Sequence, residues 1–267
     1  MNQKIMDSLR EKADTPEKLL ALNNCIGLVR TGSYLYGTNT KDSDMDYVGF
    51  FIAPEEYKLG RKTIELVEFR TNKSSSGRAN TKDDIDCTFY ELTKWFSLLE
   101  GNSPNQLELL FVNEGNKIYT SELFEIILKH RGLFISKKLR HSFCGYAFSQ
   151  LKKNEIRSGN QTGRKELIAK FGFDTKLLGH ALRLYTESLD LLVGGELKFP
   201  LPNNQEILAV RRGEMSYEDF QERCKRYEGM IDSAYVSSGL QYTPNYEAIH
   251  KMQIDLYKKH YSRKETK

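Results

Sequence analysis

One stretch limits the folds open to this chain more than any other. A short apolar run, Cys25-Ile26-Gly27-Leu28-Val29, leads into Gly32-Ser33, and eleven residues beyond Ser33 the carboxylate pair Asp44 and Asp46 heads a second apolar run. The pattern predicts a strand, a glycine-serine turn that opens a short helix, and a second strand that begins with carboxylates. Asp44 and Asp46 are two apart, so on an extended backbone their side chains point the same way. Two parallel carboxylates at the mouth of a strand suit a hard divalent cation such as Mg2+. A Gly-Ser turn feeding a helix presents backbone N–H groups and a hydroxyl, which suit phosphate. Together they suggest a nucleoside triphosphate. Without Gly32-Ser33 upstream and the apolar run downstream, the pair would read as ordinary turn carboxylates after Thr38-Asn39-Thr40-Lys41.

A third carboxylate comes from a later alternating segment, Asp83 to Tyr90. Asp84, Asp86 and Thr88 share one face of the predicted strand, and Ile85, Cys87 and Phe89 share the other. If this strand lies beside the one headed by Asp44 and Asp46, its acidic face joins theirs. Two metal ions could then clamp an attacking oxygen and a leaving pyrophosphate. The third carboxylate, near the nucleophile, could accept its proton.

The remaining pattern divides the chain. Thr15-Pro16-Glu17-Lys18 reads as a helix start, Thr63 to Phe69 as a strand, and Leu92, Trp95, Phe96, Leu98 and Leu99 as a helix closed by Gly101. Trp95 belongs to the core. Glu108, inside Leu107-Glu108-Leu109-Leu110-Phe111, reads as a helix-surface carboxylate, with a supporting role behind the site as the alternative, and Arg30 and Lys41 read as surface charges. Tyr34 and Tyr36 suit core packing or stacking on a base. Asn72 to Asn80 and Arg157 to Arg164 read as loops. From about residue 121 strands give way to helices, predicted over 121–130, 134–152, 164–170, 174–194, 204–211, 216–233 and 244–261, with a frayed basic tail to Lys267. The expected class is α+β, a mixed sheet with helices followed by a helical region. The chain is divided accordingly into a catalytic domain, 1–130, and a helical domain, 131–267.

Composition narrows the setting. With 39% hydrophobic and 28% charged residues, the chain is neither disordered nor membrane-embedded. The N-terminus is too polar for a signal peptide, and Cys25, Cys87, Cys144 and Cys224 form no paired motif, so reduced thiols in a cytoplasmic protein are expected. A net charge of +4 permits a nucleic-acid partner without requiring one.

The motifs resemble the DNA polymerase beta-type nucleotidyltransferase superfamily, whose signature is a hydrophobic residue and Gly-Ser, a gap of about this size, and Asp-x-Asp. The closer resemblance is to a branch of predicted nucleotidyltransferases of bacteria and large phages, some encoded beside RNA-repair ligases. It is carried by Gly32-Ser33-x-x-x-Gly37, Ser43-Asp44-x-Asp46, Asp86-x-Thr88-x-Tyr90-x-Leu92, Asn102-Ser103-Pro104 with Leu107-Glu108-Leu109-Leu110, and Gly172-Phe173-Asp174-Thr175-Lys176 with His180-x-x-Arg183-Leu184. The resemblance implies a nucleotidyltransferase-like core with a helical domain closing over a nucleotide. It implies that Gly32 and Ser33 bind the triphosphate and that Asp44, Asp46 and Asp86 are the catalytic and Mg2+-binding carboxylates. Asp86 is preferred to Asp84 because Thr88, Tyr90 and Leu92 then fall in the family's order. Lys176, His180 and Arg183 lie at i, i+4 and i+7 on one helical face. With the resemblance they become substrate-binding residues for the triphosphate or the acceptor.

The resulting expectation is a Mg2+-dependent enzyme, two ions, that moves a nucleoside monophosphate from an NTP such as ATP to an acceptor hydroxyl and releases pyrophosphate. An RNA end, tRNA among the candidates, is the first expectation for the acceptor. A protein hydroxyl, as in antitoxin-like AMP transfer, is the second. A non-catalytic nucleotide- or RNA-binding module is the third.

Overall fold

The computed structural model describes residues 2–41, 43–70, 85–160 and 164–265. The chain forms two compact units. The first comprises Met1–Glu100, Glu108–Phe134 and Asn245–Lys267, and the second Gly101–Leu107 and Ile135–Pro244.

The first unit is built on a five-stranded mixed sheet. Its strands are β1 (Cys25–Arg30), β2 (Met45–Phe51), β3 (Leu66–Arg70), β4 (Ile85–Glu91) and β5 (Lys117–Thr120), in the order β3-β4-β2-β1-β5. Only β2 and β4 run parallel; β1 is antiparallel to β2 and β5, and β3 is antiparallel to β4. The edge strand β5 escaped the sequence pattern, being four residues long with one buried side chain, Ile118. The predicted strand at 63–69 starts three residues late, at Leu66.

Alternation along the strands separates two faces. Tyr47, Phe51, Cys87, Phe89, Val67 and Phe69 point to one face and pack with Leu9, Ala21 and Leu22 from helices α1 (Asn2–Glu11) and α2 (Pro16–Asn23). Thr15 caps α2 through its side chain, which accepts from the N–H of Lys18. Gly49 lacks a side chain where one would strike the Phe89 ring at 2.3 Å. The opposite face is covered by α4 (Leu92–Glu100) and α6 (Glu122–Lys129), where Phe50 stacks on Trp95 with ring centroids 3.7 Å apart and on Phe124 at 5.3 Å. Trp95 is fully buried, as its spacing implied.

The last helix, α12 (Tyr246–Glu265), belongs to this unit and carries the segment expected to fray as helix as far as Glu265, the last described residue. It is tied to the end of β4. The buried Glu91 carboxylate accepts hydrogen bonds from Tyr257 Oη (2.5 Å), Lys58 Nζ (2.5 Å) and the Thr93 N–H (2.8 Å), and Tyr261 donates to the Ala53 carbonyl.

The second unit is helical, with α5 (Pro104–Leu107), α7 (Leu139–Asn160), α8 (Lys165–Phe171), α9 (Thr175–Gly194), α10 (Asn204–Arg212) and α11 (Tyr217–Ser237). The buried helix α9 is its axis, packed by α7, α10 and α11. The expectation of a loop from Arg157 fails in its first half, because α7 continues to Asn160; residues 161–163 lie outside the described residues. The loop expected at 72–80 lies outside them too. All four cysteines are free, and among the described residues no helix is long and apolar enough to cross a membrane.

Candidate active site

The parallel pairing of β2 and β4 sets Asp46 directly beside Asp86. Both belong to the face that carries Val48 and Phe50, so the acidic pair sits at the strand starts and the Trp95 cluster at the far end. Asp44 stands one residue ahead of β2, two from Asp46. Ligand oxygens of Asp44, Asp46 and Asp86 all lie within 4.8 Å of one another, and the three side chains are half-buried. Asp83 and Asp84 are outside the described residues, so the alternative third carboxylate has no position to compare.

Such a cluster is costly without a cation. Two unit charges at this separation repel by roughly 3 kcal/mol at an effective dielectric of 20. Burial first, then the charges of Asp44 and Asp86, push the Asp46 carboxyl up from 3.8 to about 7. Three oxygen-donor side chains with a shared excess of negative charge fit a hard divalent cation.

The Gly-Ser turn is built against this cluster. The Thr31 N–H donates to the Asp46 carbonyl at 2.9 Å and carries the β1–β2 pairing past Arg30. Gly32 then takes φ +66° and opens α3 (Gly32–Tyr36). A Cβ at Gly32 would sit 2.2 Å from Asp46 Oδ2. Only glycine satisfies both the left-handed backbone and the contact with the carboxylate. Ser33 is the next residue, half-buried, and its carbonyl accepts from the N–H of Thr38 and of Gly37, which ends the helix at φ +71°.

Both tyrosines of α3 are held from a distance. The Arg30 guanidinium lies 5.0 Å from the Tyr34 ring centroid, and its Nε donates to Asn116 Oδ1 at 2.9 Å. Arg30 is therefore a strut between β1 and the segment before β5, not the surface charge its sequence suggested; Lys41 is exposed, as expected. Tyr36 Oη donates to Glu108 Oε1 at 2.6 Å. Glu108 is 1% exposed, which overturns its assignment to a helix surface. A lone carboxylate in an apolar block was the available signal. It was misread because Glu108, Leu109 and Leu110 are all buried in a 3-10 helix, and the hydroxyl that partners Glu108 comes from Tyr36, 72 residues earlier.

In the second unit, Gly172-Phe173-Asp174-Thr175-Lys176 proves to be a joint between helices. Gly172 ends α8 at φ +82°, and Asp174 caps α9, accepting from the N–H groups of Lys176 and Leu177. Asp174 is fully buried and paired with Arg157 and Arg164 at 3.1 Å each. Lys176 is exposed in the first turn of α9. Arg183, 5% exposed, is paired with the fully buried Glu187 at 3.0 Å and donates to Asn105 Oδ1. It also donates to His180 Nε2 at 2.9 Å. That bond makes Nε2 an acceptor and leaves the ring proton on Nδ1. Burial, then the charges of Arg183 and Arg164, push the His180 imidazole down from 6.5 to about 3. The carboxylates thus converge with Gly32 and Ser33 within the first unit, whereas Lys176, His180 and Arg183 are gathered on α9 in the second.

With this geometry established, the comparisons with known proteins can be placed on it. Residues 1–222 match the RNA repair pathway DNA polymerase beta family, RlaP. The chain belongs to that family. RlaP membership places it in the RNA-repair branch of the polymerase beta family, the branch its motifs resembled. An uncharacterized 38.9 kDa protein of Enterobacteria phage T4, from the nrdC-mobD intergenic region, is 28% identical over 139 residues, which are 51% of this chain and 40% of that protein. The chain is thus matched to less than half the length of this relative. A nucleotidyltransferase-like protein from Exiguobacterium sibiricum 255-15 aligns over 87% of this chain and 75% of its own, with 10% identity and a TM-score of 0.32.

Proposed function

We propose that this RlaP protein transfers a nucleoside monophosphate from an NTP to an acceptor hydroxyl, with RNA as the acceptor and tRNA the first RNA to test. The observation that carries the proposal is the convergence of Asp44, Asp46 and Asp86 beside the Gly32–Ser33 turn. Asp44, Asp46 and Asp86 would hold Mg2+, two ions by the logic of the superfamily. When bound, the metal would supply charge neutralisation at the phosphates and polarise the attacking hydroxyl.

The chain's own groups supply position. Gly32 and Ser33 offer backbone N–H groups and a hydroxyl to the triphosphate. Asp86, on the strand beside Asp46, would take the proton of the acceptor hydroxyl. In the second unit, Lys176 offers a charge to substrate phosphate. Arg183 acts through His180, fixing the tautomer that presents Nδ1–H as a donor.

The test supplies each radiolabelled NTP with Mg2+ and either total tRNA or whole-cell protein. Label should enter RNA, should require the divalent ion, and should vanish in Asp46→Asn. Label entering protein would move the acceptor to a protein hydroxyl. Tight NTP binding without transfer, unchanged in Asp46→Asn, would leave a binding module.

A further inference from the structure

Charge is distributed unevenly along the chain. From Gln150, midway along α7, to Lys176 there are seven basic and three acidic side chains, a net +4, which equals the charge of the whole chain, so the remainder is neutral. One of those three acids, Asp174, is buried and shared by Arg157 and Arg164. That sharing joins the C-terminal half of α7, the start of α8 and the first turn of α9 into one junction of the second unit. Asn154 of α7 closes it, accepting the Asp174 N–H at 2.8 Å. Lys153, Lys165 and Lys170 stand exposed on the same elements.

Ion pairs recur through this unit, Arg212 with Glu214, Arg223 with Glu206 and Arg140 with Asp232, and within α7 Lys152 pairs with Glu155 at 2.8 Å. The junction concentrates positive charge with few acids to offset it, and self-repulsion of that kind is relieved by a polyanion.

We propose that the α7–α8–α9 junction is a docking surface for the sugar-phosphate backbone of RNA. The inference rests on the transferase reading only in taking RNA to be the acceptor; the surface binds whether or not transfer follows. Backbone contacts of this kind position an RNA without reading its sequence.

The experiment measures binding of fluorescein-labelled tRNA to the full chain by anisotropy, in EDTA and without NTP, from 50 to 250 mM KCl. The triple variant Lys153→Gln, Lys165→Gln, Lys170→Gln should bind at least tenfold more weakly. Its slope of log affinity against log salt should be shallower by about two, as expected when roughly three phosphate contacts at ~0.7–0.9 each are lost. A control triple at exposed lysines on other elements, Lys4→Gln, Lys12→Gln, Lys225→Gln, should stay within twofold of the unaltered chain. Junction-variant affinity within twofold of that chain, equal losses in both triples, or no tRNA binding by the unaltered protein would each overturn the docking surface. Transfer to protein by a chain that binds no RNA would overturn it and leave the transferase standing. Junction-dependent RNA binding without transfer would do the reverse.

Discussion

The acidic cluster of the first unit and the helix joints of the second treat charge in opposite ways. In the first, three half-buried carboxylates crowd within 4.8 Å, and Asp46 answers by rising to about 7. In the second, buried charges come with partners: Glu187 with Arg183, and Asp174 between Arg157 and Arg164. An uncompensated buried charge costs several kcal/mol, and removing one member of a buried pair costs about as much. A fold can carry a crowd of like charges where a bound cation lowers their repulsion. Paired charges fix helices relative to one another within their own unit.

The largest expected effect comes from removing the imbalance. Asp46→Asn should lower Mg2+-dependent transfer by about a thousandfold or more, roughly 4 kcal/mol of barrier. Stability should move the other way. The folded-state pKa of Asp46 is raised, so between 3.8 and about 7 the folded chain binds more protons than the unfolded one. Stability therefore falls as pH rises through that window, and the whole penalty is present above it. In EDTA at pH 8 the Asn variant should be more stable by up to ~4 kcal/mol, and near pH 4 the gain should disappear. Urea unfolding at the two pH values measures this. A variant less stable than the unaltered chain at pH 8 would break the comparison on the acidic side.

The opposite unit supplies a stability test of opposite sign. Arg183→Leu strands the Glu187 carboxylate, which is fully buried, and should cost about 3–5 kcal/mol. Replacing both residues by leucine should recover most of that loss. If Arg183→Leu instead unfolds normally in urea while the KM for NTP climbs, the guanidinium belongs to a substrate site and the contrast between the units fails there.

What could be read in advance follows the same division. Gly32-Ser33, Asp44-x-Asp46 and the Asp86 face were legible because short strands repeat every two residues, and parallel pairing turned two separate motifs into neighbours. The long helices were legible from apolar spacing and punctuation. The struts were not: Arg30 meets Asn116, Tyr36 meets Glu108, and Glu91 meets Tyr257 166 residues away. No local period encodes a contact of that range. The four residues of β5 carried too little alternation to register. The Gly172–Lys176 motif was visible, but its role as a joint was not, since capping by Asp174 depends on Arg157 and Arg164 arriving from the preceding helices.

The smallest effect is the sharpest probe of the first unit, because it separates charge from placement. Tyr36 lies on the helix that Gly32 opens, and its hydroxyl reaches the buried Glu108. The bond spans 72 residues and crosses from α3 to the 3-10 turn, so it restrains the helix without contributing charge to the acidic cluster. Tyr36→Phe deletes one hydrogen bond to a charged group and should lower stability by only about 1.5–3 kcal/mol. If the restraint sets the angle of the Gly-Ser turn, the KM for NTP should rise severalfold while kcat changes little, and hydrogen exchange at Ser33 to Tyr36 should quicken. Glu108→Gln retains an oxygen that can accept from Tyr36 and should keep the normal KM, which a purely electrostatic role for Glu108 would not allow. Equal KM values for Tyr36→Phe and the unaltered protein would mean that Gly32 against Asp46 already holds the turn, and that the acidic cluster organises the first unit without help from its struts.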